Sequence, residues 1–451
     1  MVVTWRPRVT VACVALTVAV AGLMTARTTV LAQNSSPAAA GQVTFTKDVA
    51  PILQRSCQSC HRPGSVAPMS LMTYQDARPW ARSMKQKVTA REMPPWHIDR
   101  NVGITKFKDD PSLSDAEISI IARWVDGGAQ MGNPADMPAP RQFSDLDQWF
   151  IGKPDIIVTS DKPYILPAAG PDNIVDMLVD PGFTEDMYIM AIESKPADPA
   201  SFKVTHHFTT NLVEDEDDPT GLFLNEYALG KNGDIFPPNS GRLVKAGSKI
   251  NFNLHLNPRG EVTPVSVKLG LKVFPKGQVP KYVAFTQHMG DVPDLDIPAG
   301  AVSRHDGYFR LAKPALIASF QPHMHNRGRA QCMEAIYPDV RSDSARPGPA
   351  RTETISCVSA YQFGWHITYP YADDVAPLLP AGTIVHIISW HDNTTANKWN
   401  PNPKNWVGGG SRSIDEMGFA WVTITYLDED DYQQRVAARR KLQTTNTQQQ
   451  N

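Results

Sequence analysis

From about residue 150 onward the chain alternates apolar and polar positions. "KINFNLHLN" sets Ile250, Phe252, Leu254 and Leu256 against Asn251, Asn253, His255 and Asn257. Successive strand side chains point to opposite faces, so a period of two predicts half-buried antiparallel strands. "VSVKLGLKVF" repeats the pattern with Val265, Val267, Leu269, Leu271 and Val273, and similar stretches recur at 385–390 and 419–426 between Pro/Gly turns. Before residue 132 the period is helical. "FTKDVAPILQRS" puts Val49, Ile52 and Leu53 on one side of a first helix. "LSDAEISIIARWVDGGA" (113–129) predicts another, with Ser114 as N-cap, Glu117 three residues on and Gly127 ending it. "MGNPADMPAPRQFSDLDQW" (131–149) is rich in Pro, Asp and small residues and reads as the boundary. The expected fold class is mainly β: two antiparallel β-sandwiches at 150–280 and 281–428, a small all-α domain at 43–132 before them, and a linker at 133–149. The polar tail at 429–451 is expected to form a short helix followed by disorder.

With 451 residues the chain is long enough for several domains, and 38 prolines against 29 glycines suit strands joined by turns. A net charge of −2 gives no electrostatic case for nucleic acid or for an anionic membrane surface. The first segment carries Arg6 and Arg8 before an apolar run, Val9 to Met24, and ends in "VLA". That is the layout of a secretory signal peptide over 1–32, cut after Ala32, which removes Cys13 and implies a periplasmic or secreted chain. An uncleaved anchor is the rival, but the run is short for a span, so no stable membrane insertion is expected.

Export changes the reading of the remaining thiols. "CQSCH", residues 57–61, is the C-x-x-C-H of covalent c-type haem attachment, with Cys57 and Cys60 as the thioether thiols and His61 as the proximal iron ligand. A disulfide, half of a zinc site or chance is the competing reading. With its flanking helices the segment resembles the small class I cytochromes c over residues 43–132. The resemblance implies one haem c and a methionine as sixth ligand. Met69, Met72, Met84 and Met93 compete; Met93, in the rigid "REMPPWH", is preferred, His97 is its rival, and an open site is the third option. Cys332 and Cys357 are the thiols left over, and an exported protein would pair them as a structural disulfide.

The β region carries an ordered series of metal-ligand types: His206 and His207 in "VTHHFTTN", His255 in "NLHLN", His323 and His325 in "HMH", and Met417 in "DEMGFAW". Imidazole suits copper, and a thioether favours the reduced ion. Side chains two apart share a strand face, so His323 and His325 can grip one ion, whereas adjacent His206 and His207 can do so only where the strand bends or one ring binds through Nδ1. Each element alone is weak, because paired histidines are more often solvated and a lone methionine is more often core. His288, His305, His366, His386 and His391 are expected to include such non-ligating cases.

The order HH, H, HxH, EM resembles the copper type II, ascorbate-dependent monooxygenases, the family of peptidylglycine α-hydroxylating and dopamine β-monooxygenases, over roughly residues 150–428. The resemblance implies two packed jelly-roll sandwiches, one copper on His206, His207 and His255, and a second on His323, His325 and Met417, where O2 attacks a substrate C–H bond. The amidating enzymes carry an arginine where this chain has Gln321, and asparagine and tyrosine where it has Phe419 and Trp421. The substrate carboxylate clamp is therefore missing, and a small, apolar substrate is expected instead of a peptide, with Trp390 a further aromatic candidate for its pocket. The haem is expected to pass electrons from a periplasmic donor to the all-histidine copper. Two other classes compete: a non-catalytic haem/copper electron-transfer protein, and a binding sandwich whose histidines are incidental. Copper stoichiometry separates them.

Overall fold

The computed structural model describes residues 42–450 apart from 64, 66, 143–148, 216, 219–220, 229–230, 293 and 339–350. The expected signal segment, with Cys13 and the cut after Ala32, lies outside the described residues. The described chain is mainly β, with a small helical region at its start.

One long sheet runs through the molecule. Its strands lie in the order Ile156–Thr159, Val267–Val273, Met187–Pro196, Ser240–Val244, Tyr282–Met289, Phe419–Tyr426, Ala315–His323 and Tyr369–Pro370. A four-stranded sheet, Asn173–Val179, Lys249–Leu256, Thr205–Val213 and Leu222–Ala228, covers its first half. A second, Val302–Arg310, Ile384–Asp392, Gly328–Ile336 and Thr352–Val358, covers the other half. Two jelly-roll-type sandwiches result, and they share a sheet through one short parallel step, Tyr282 beside Ser240 and Val283 beside Gly241. The alternating residues explain each core. Ile250, Phe252, Leu254 and Leu256 are fully buried with Val265, Val267, Leu269 and Leu271 in the first sandwich. Phe320, Ile317, Val422 and Ile424 do the same in the second. Each such side chain contributes about 1.5–3 kcal/mol when fully buried.

The helical region begins with one turn of π-helix, Phe45–Val49, that runs into the α-helix Ala50–Ser56, burying Val49, Ile52 and Leu53. Helices Ala81–Thr89 and Asp115–Asp126 pack beside it, and the latter carries a capping box in which Ser114 accepts from Glu117 N–H while the Glu117 carboxylate accepts from Ser114 N–H. Between these two helices the chain leaves the helical region and lies along the second sandwich. Asp99 N–H donates to Cys357 O and Ile104 N–H to Ile355 O, both at 2.8 Å. Gly103 makes this approach possible: its φ is +59°, and a Cβ there would stand 2.2 Å from Ile355 O. Trp96 and Phe107 pack on Tyr369 and Tyr371 beneath it. The tail is one helix, Glu429–Gln450, and not a short helix followed by disorder. Its Ala, Arg, Lys and Gln residues favour helix, and no Pro or Gly interrupts them.

Candidate metal centre

His206 and His207 open the strand Thr205–Val213, and the strand bends where they need it to. Pairing with the neighbouring strand shifts by one residue between Thr205 and His207, so Thr205 faces Leu256, His207 faces His255, and His206 is the extra residue of a bulge. Adjacent side chains that would diverge on a regular strand therefore converge, with the two Nδ1 atoms 3.0 Å apart. The His255 ring lies 4.9 Å from His207 and 5.4 Å from His206. Asp172 accepts from His255 Nε2 at 3.0 Å and from Asn257 Nδ2 at 2.9 Å, which fixes the ring and leaves Nδ1 as its free nitrogen.

His323 ends the strand Ala315–His323 on the face turned toward the first sandwich, two residues after Gln321. The turn after it carries His325. Glu416 holds that turn, accepting from His325 N–H at 2.9 Å and Arg327 N–H at 2.6 Å, so the acidic half of the Glu-Met pair is a clamp on the loop. His325 Nδ1 is used by Asp415 O at 3.0 Å, leaving Nε2. The His323 and His325 rings are 5.6 Å apart. Met417 follows the clamp and is half-buried; its carbonyl accepts from His391 Nε2 at 3.0 Å. Phe419 pairs with His323 in register and stacks on its ring at 4.5 Å, with Trp421 at 6.4 Å.

The two histidine sets face each other across the sandwiches, and a residue that sequence reasoning set aside stands between them. His366 lies 5.2 Å from His207, 5.9 Å from His206 and 5.3 Å from His323 by ring centroid. Its ligand atoms come within 4.8 Å of those of two donor groups, His206 with His207, and Glu226 with His323. No periodic signal marks His366 in "FGWHITYP"; a carboxylate inside the apolar strand "FLNEYA" was the available sign of Glu226. Phe363 fills the middle, 4.9 Å from His206 and 5.4 Å from His325. Burial in this setting, with the neighbouring imidazoles adding to it, lowers His206 to about 3 and holds His207 and His323 well below the usual histidine value. Burial likewise lowers His325 to about 4. These rings are neutral donors at neutral pH, the form that binds metal. His323 Nδ1, both nitrogens of His366 and Glu226 Oε1 are buried without a hydrogen-bond partner among the described residues. Buried polar atoms are rarely left so, and several together fit a cation.

In the helical region Cys57 and Cys60 are unpaired thiols, and burial pushes Cys57 up to about 12 and Cys60 upward. His61 Nδ1 meets Met69 O at 3.2 Å, which orients the ring and leaves Nε2 for a metal. A cavity of about 940 Å³ opens at the segment after this motif, bounded by Ser65, Ala67 and Pro68 on one side and by Phe202, Lys203, His206 and Arg259 on the other. Unpaired thiols beside an oriented imidazole are the donor set a covalent haem would use. Met84 is committed to the helical core. Met93 is half-buried in the turn after helix Ala81–Thr89. His97 packs on the second sandwich, where Tyr369 OH accepts from its N–H at 3.2 Å.

Cys332 and Cys357 form a disulfide between paired strands. His386 is bound by Asp306 and Glu334, and His305 by His391 and Asp296 O. His288 stacks on Trp421, which in turn stacks on Phe223 at 3.8 Å, in a groove of about 690 Å³ between the sandwiches. Trp390 lies under Arg304 on the opposite sheet, away from this groove. Among the described residues no helix is long and apolar enough to cross a membrane.

No family model matches the chain, and no curated protein matches it. Among solved structures it is similar to the major capsid protein P2 of bacteriophage PM2, at 8 % identity and a TM-score of 0.24, over 60 % of this chain and 97 % of that one. It is also similar to infectious bursal disease virus VP2 from a subviral particle, at 10 % identity and a TM-score of 0.19, over 66 % of this chain and 77 % of that one. Both scores lie below the level at which two chains share an overall fold.

Proposed function

We propose that the chain is an exported copper- and haem-dependent monooxygenase that hydroxylates a C–H bond of a small, apolar organic substrate with O2. The observation that carries this reading is the grouping of His206, His207 and His255 and of His323 and His325, from distant segments, around His366. His206, His207 and His255 would hold one copper, and His323, His325 and Met417 the other. Cys57 and Cys60 would attach the haem, with His61 and Met93 as its axial ligands. Copper supplies one-electron chemistry with O2, and a haem c supplies electrons one at a time.

The chain's own residues do the rest. Asp172 and Asp415 O orient their imidazoles and fix which nitrogen is free. Phe363 and Phe419 exclude water from the histidines. The Phe223–Trp421–His288 groove offers an aromatic wall beside His323, and Gln321 cannot clamp a carboxylate because it is bound to Glu226 and Thr368. A cavity lined by Pro68, a few residues after the haem motif, and by His206 supports electron entry on that side. The test is metal analysis of the purified chain: two coppers and one haem are expected, with His207→Ala and His323→Ala each losing one copper. A chain that binds no copper overturns the reading.

A further inference from the structure

We propose that Glu226, His323 and His366 form a metal site built across the two sandwiches, so that the second sandwich's cation takes a carboxylate from the first. The inference departs from the reading above at one point: His323 would serve its cation with Glu226 and His366 in place of His325 and Met417. The donors themselves come from the geometry.

Glu226 sits on the strand Leu222–Ala228 opposite Thr209, and its flanking residues Asn225 and Tyr227 turn into the first sandwich's core side. Alternation therefore turns Glu226 out toward the second sandwich, where an acid would ordinarily meet solvent. Instead it is 2 % exposed, as is His366, and His323 is 5 % exposed. The nearest approach of carboxylate and imidazole, His366 Nδ1 to Glu226 Oε1, is 3.6 Å. That is too long for a hydrogen bond, yet the ligand atoms of all three residues lie within 4.8 Å of one another. Two donors of one tetrahedral cation, each about 2.0–2.2 Å from it, stand about 3.3–3.6 Å apart, which the His366–Glu226 pair meets. Both His366 nitrogens, His323 Nδ1 and Glu226 Oε1 are unpartnered among the described residues. Leaving such groups unmet in a dry interior is costly, and a single cation meets several of them at once.

The surroundings hold the carboxylate ready. Its other oxygen, Oε2, accepts from Gln321 Nε2, and Gln321 Oε1 accepts from Thr368 at 2.6 Å. Ligating carboxylates are commonly fixed by such outer bonds. Two imidazoles and one carboxylate, without thiolate, select a divalent first-row ion such as Zn(II) or Cu(II), and offer too few oxygens for calcium. His366 also reaches His206 and His207, so both donor groups draw on both sandwiches, and bound metal would hold the sandwiches in this juxtaposition.

The test titrates the haem-loaded full chain, stripped of other metals, with Zn(II) and separately with Cu(II) against a competing chelator. Glu226→Gln, His366→Phe and Met417→Leu are compared with wild type, together with the thermal midpoint before and after loading. Glu226→Gln and His366→Phe should each weaken one equivalent at least tenfold and shrink the metal-induced rise in midpoint. Metal-free Glu226→Gln should melt at or above the metal-free wild type, because an unmet carboxylate is gone; a purely structural Glu226 would melt lower. Wild-type affinity for both equivalents in Glu226→Gln overturns the site, and does so even if His366→Phe fails to fold. Loss of an equivalent in Met417→Leu alone overturns it too, while sparing the two-copper reading. A wild-type chain that takes up neither ion overturns both.

Discussion

Glu416→Ala is expected to cost the fold about 3 kcal/mol and to loosen the loop that carries His325. Both Glu416 oxygens are used, Oε2 by His325 N–H at 2.9 Å and Oε1 by Arg327 N–H at 2.6 Å. Glu416 is wholly buried, and Arg327, 2 % exposed, stands 3.9 Å from Oε1. The guanidinium keeps its bonds to Asn393 Oδ1 and Ile414 O after truncation, so it does not become fully unpaired. Two buried N–H groups without acceptors cost about 1–3 kcal/mol each. Removing one partner of a buried ion pair costs about 3–5 kcal/mol. These effects overlap, because the same carboxylate serves both. Burial also pushes Glu416 up to about 7, so near neutrality it is only partly ionised, and the lower end of the range applies. Denaturant unfolding of the haem-loaded chain reads the loss as a fall in midpoint. Glu416→Gln, which keeps one acceptor oxygen, should lose about half as much. A Glu416→Ala chain within about 1 kcal/mol of wild type would refute the clamp.

Asp172→Asn should weaken copper at the all-histidine set about tenfold, the low end for a residue that orients a ligand, because Asp172 is partly exposed; unchanged affinity in a chelator competition would count against it. Replacing Cys332 and Cys357 by serine opens a loop of 25 residues and should cost about 3 kcal/mol, read as a lower unfolding midpoint. Burial raises Glu193 above its ordinary carboxylate value. Its contribution to stability is therefore complete below the unfolded value of 4.5 and is lost as pH rises through the higher folded value. Glu193→Gln should accordingly gain stability over wild type at pH 7 and show no gain at pH 4.

The alternation at Ile250–Leu256 and Val265–Val273 made the sandwiches legible, because each sheet buries one face and period two is the direct trace of that. The capping box at Ser114 and Glu117 was legible for a similar reason, since it is a local exchange of hydrogen bonds. The bulge at His206 was readable only as a requirement: adjacent histidines needed a bend, and the sequence carries no Gly or Pro to announce it. His366 was not legible, and Glu226 showed only as a carboxylate in an apolar strand, because their meaning comes from the meeting of two sandwiches and not from any spacing along the chain. The parallel step at Tyr282 and the path of residues 94–108 over the second sandwich are long-range in the same way.

The central claim is that electrons held at the His61 haem reach O2 through copper held by the histidines. The haem-loaded, copper-loaded chain would be reduced without oxygen, mixed rapidly with O2, and followed at the haem absorbance. The account predicts haem reoxidation that slows sharply when copper is removed and again when His207→Ala is used. Reoxidation at the same rate with and without copper would contradict it.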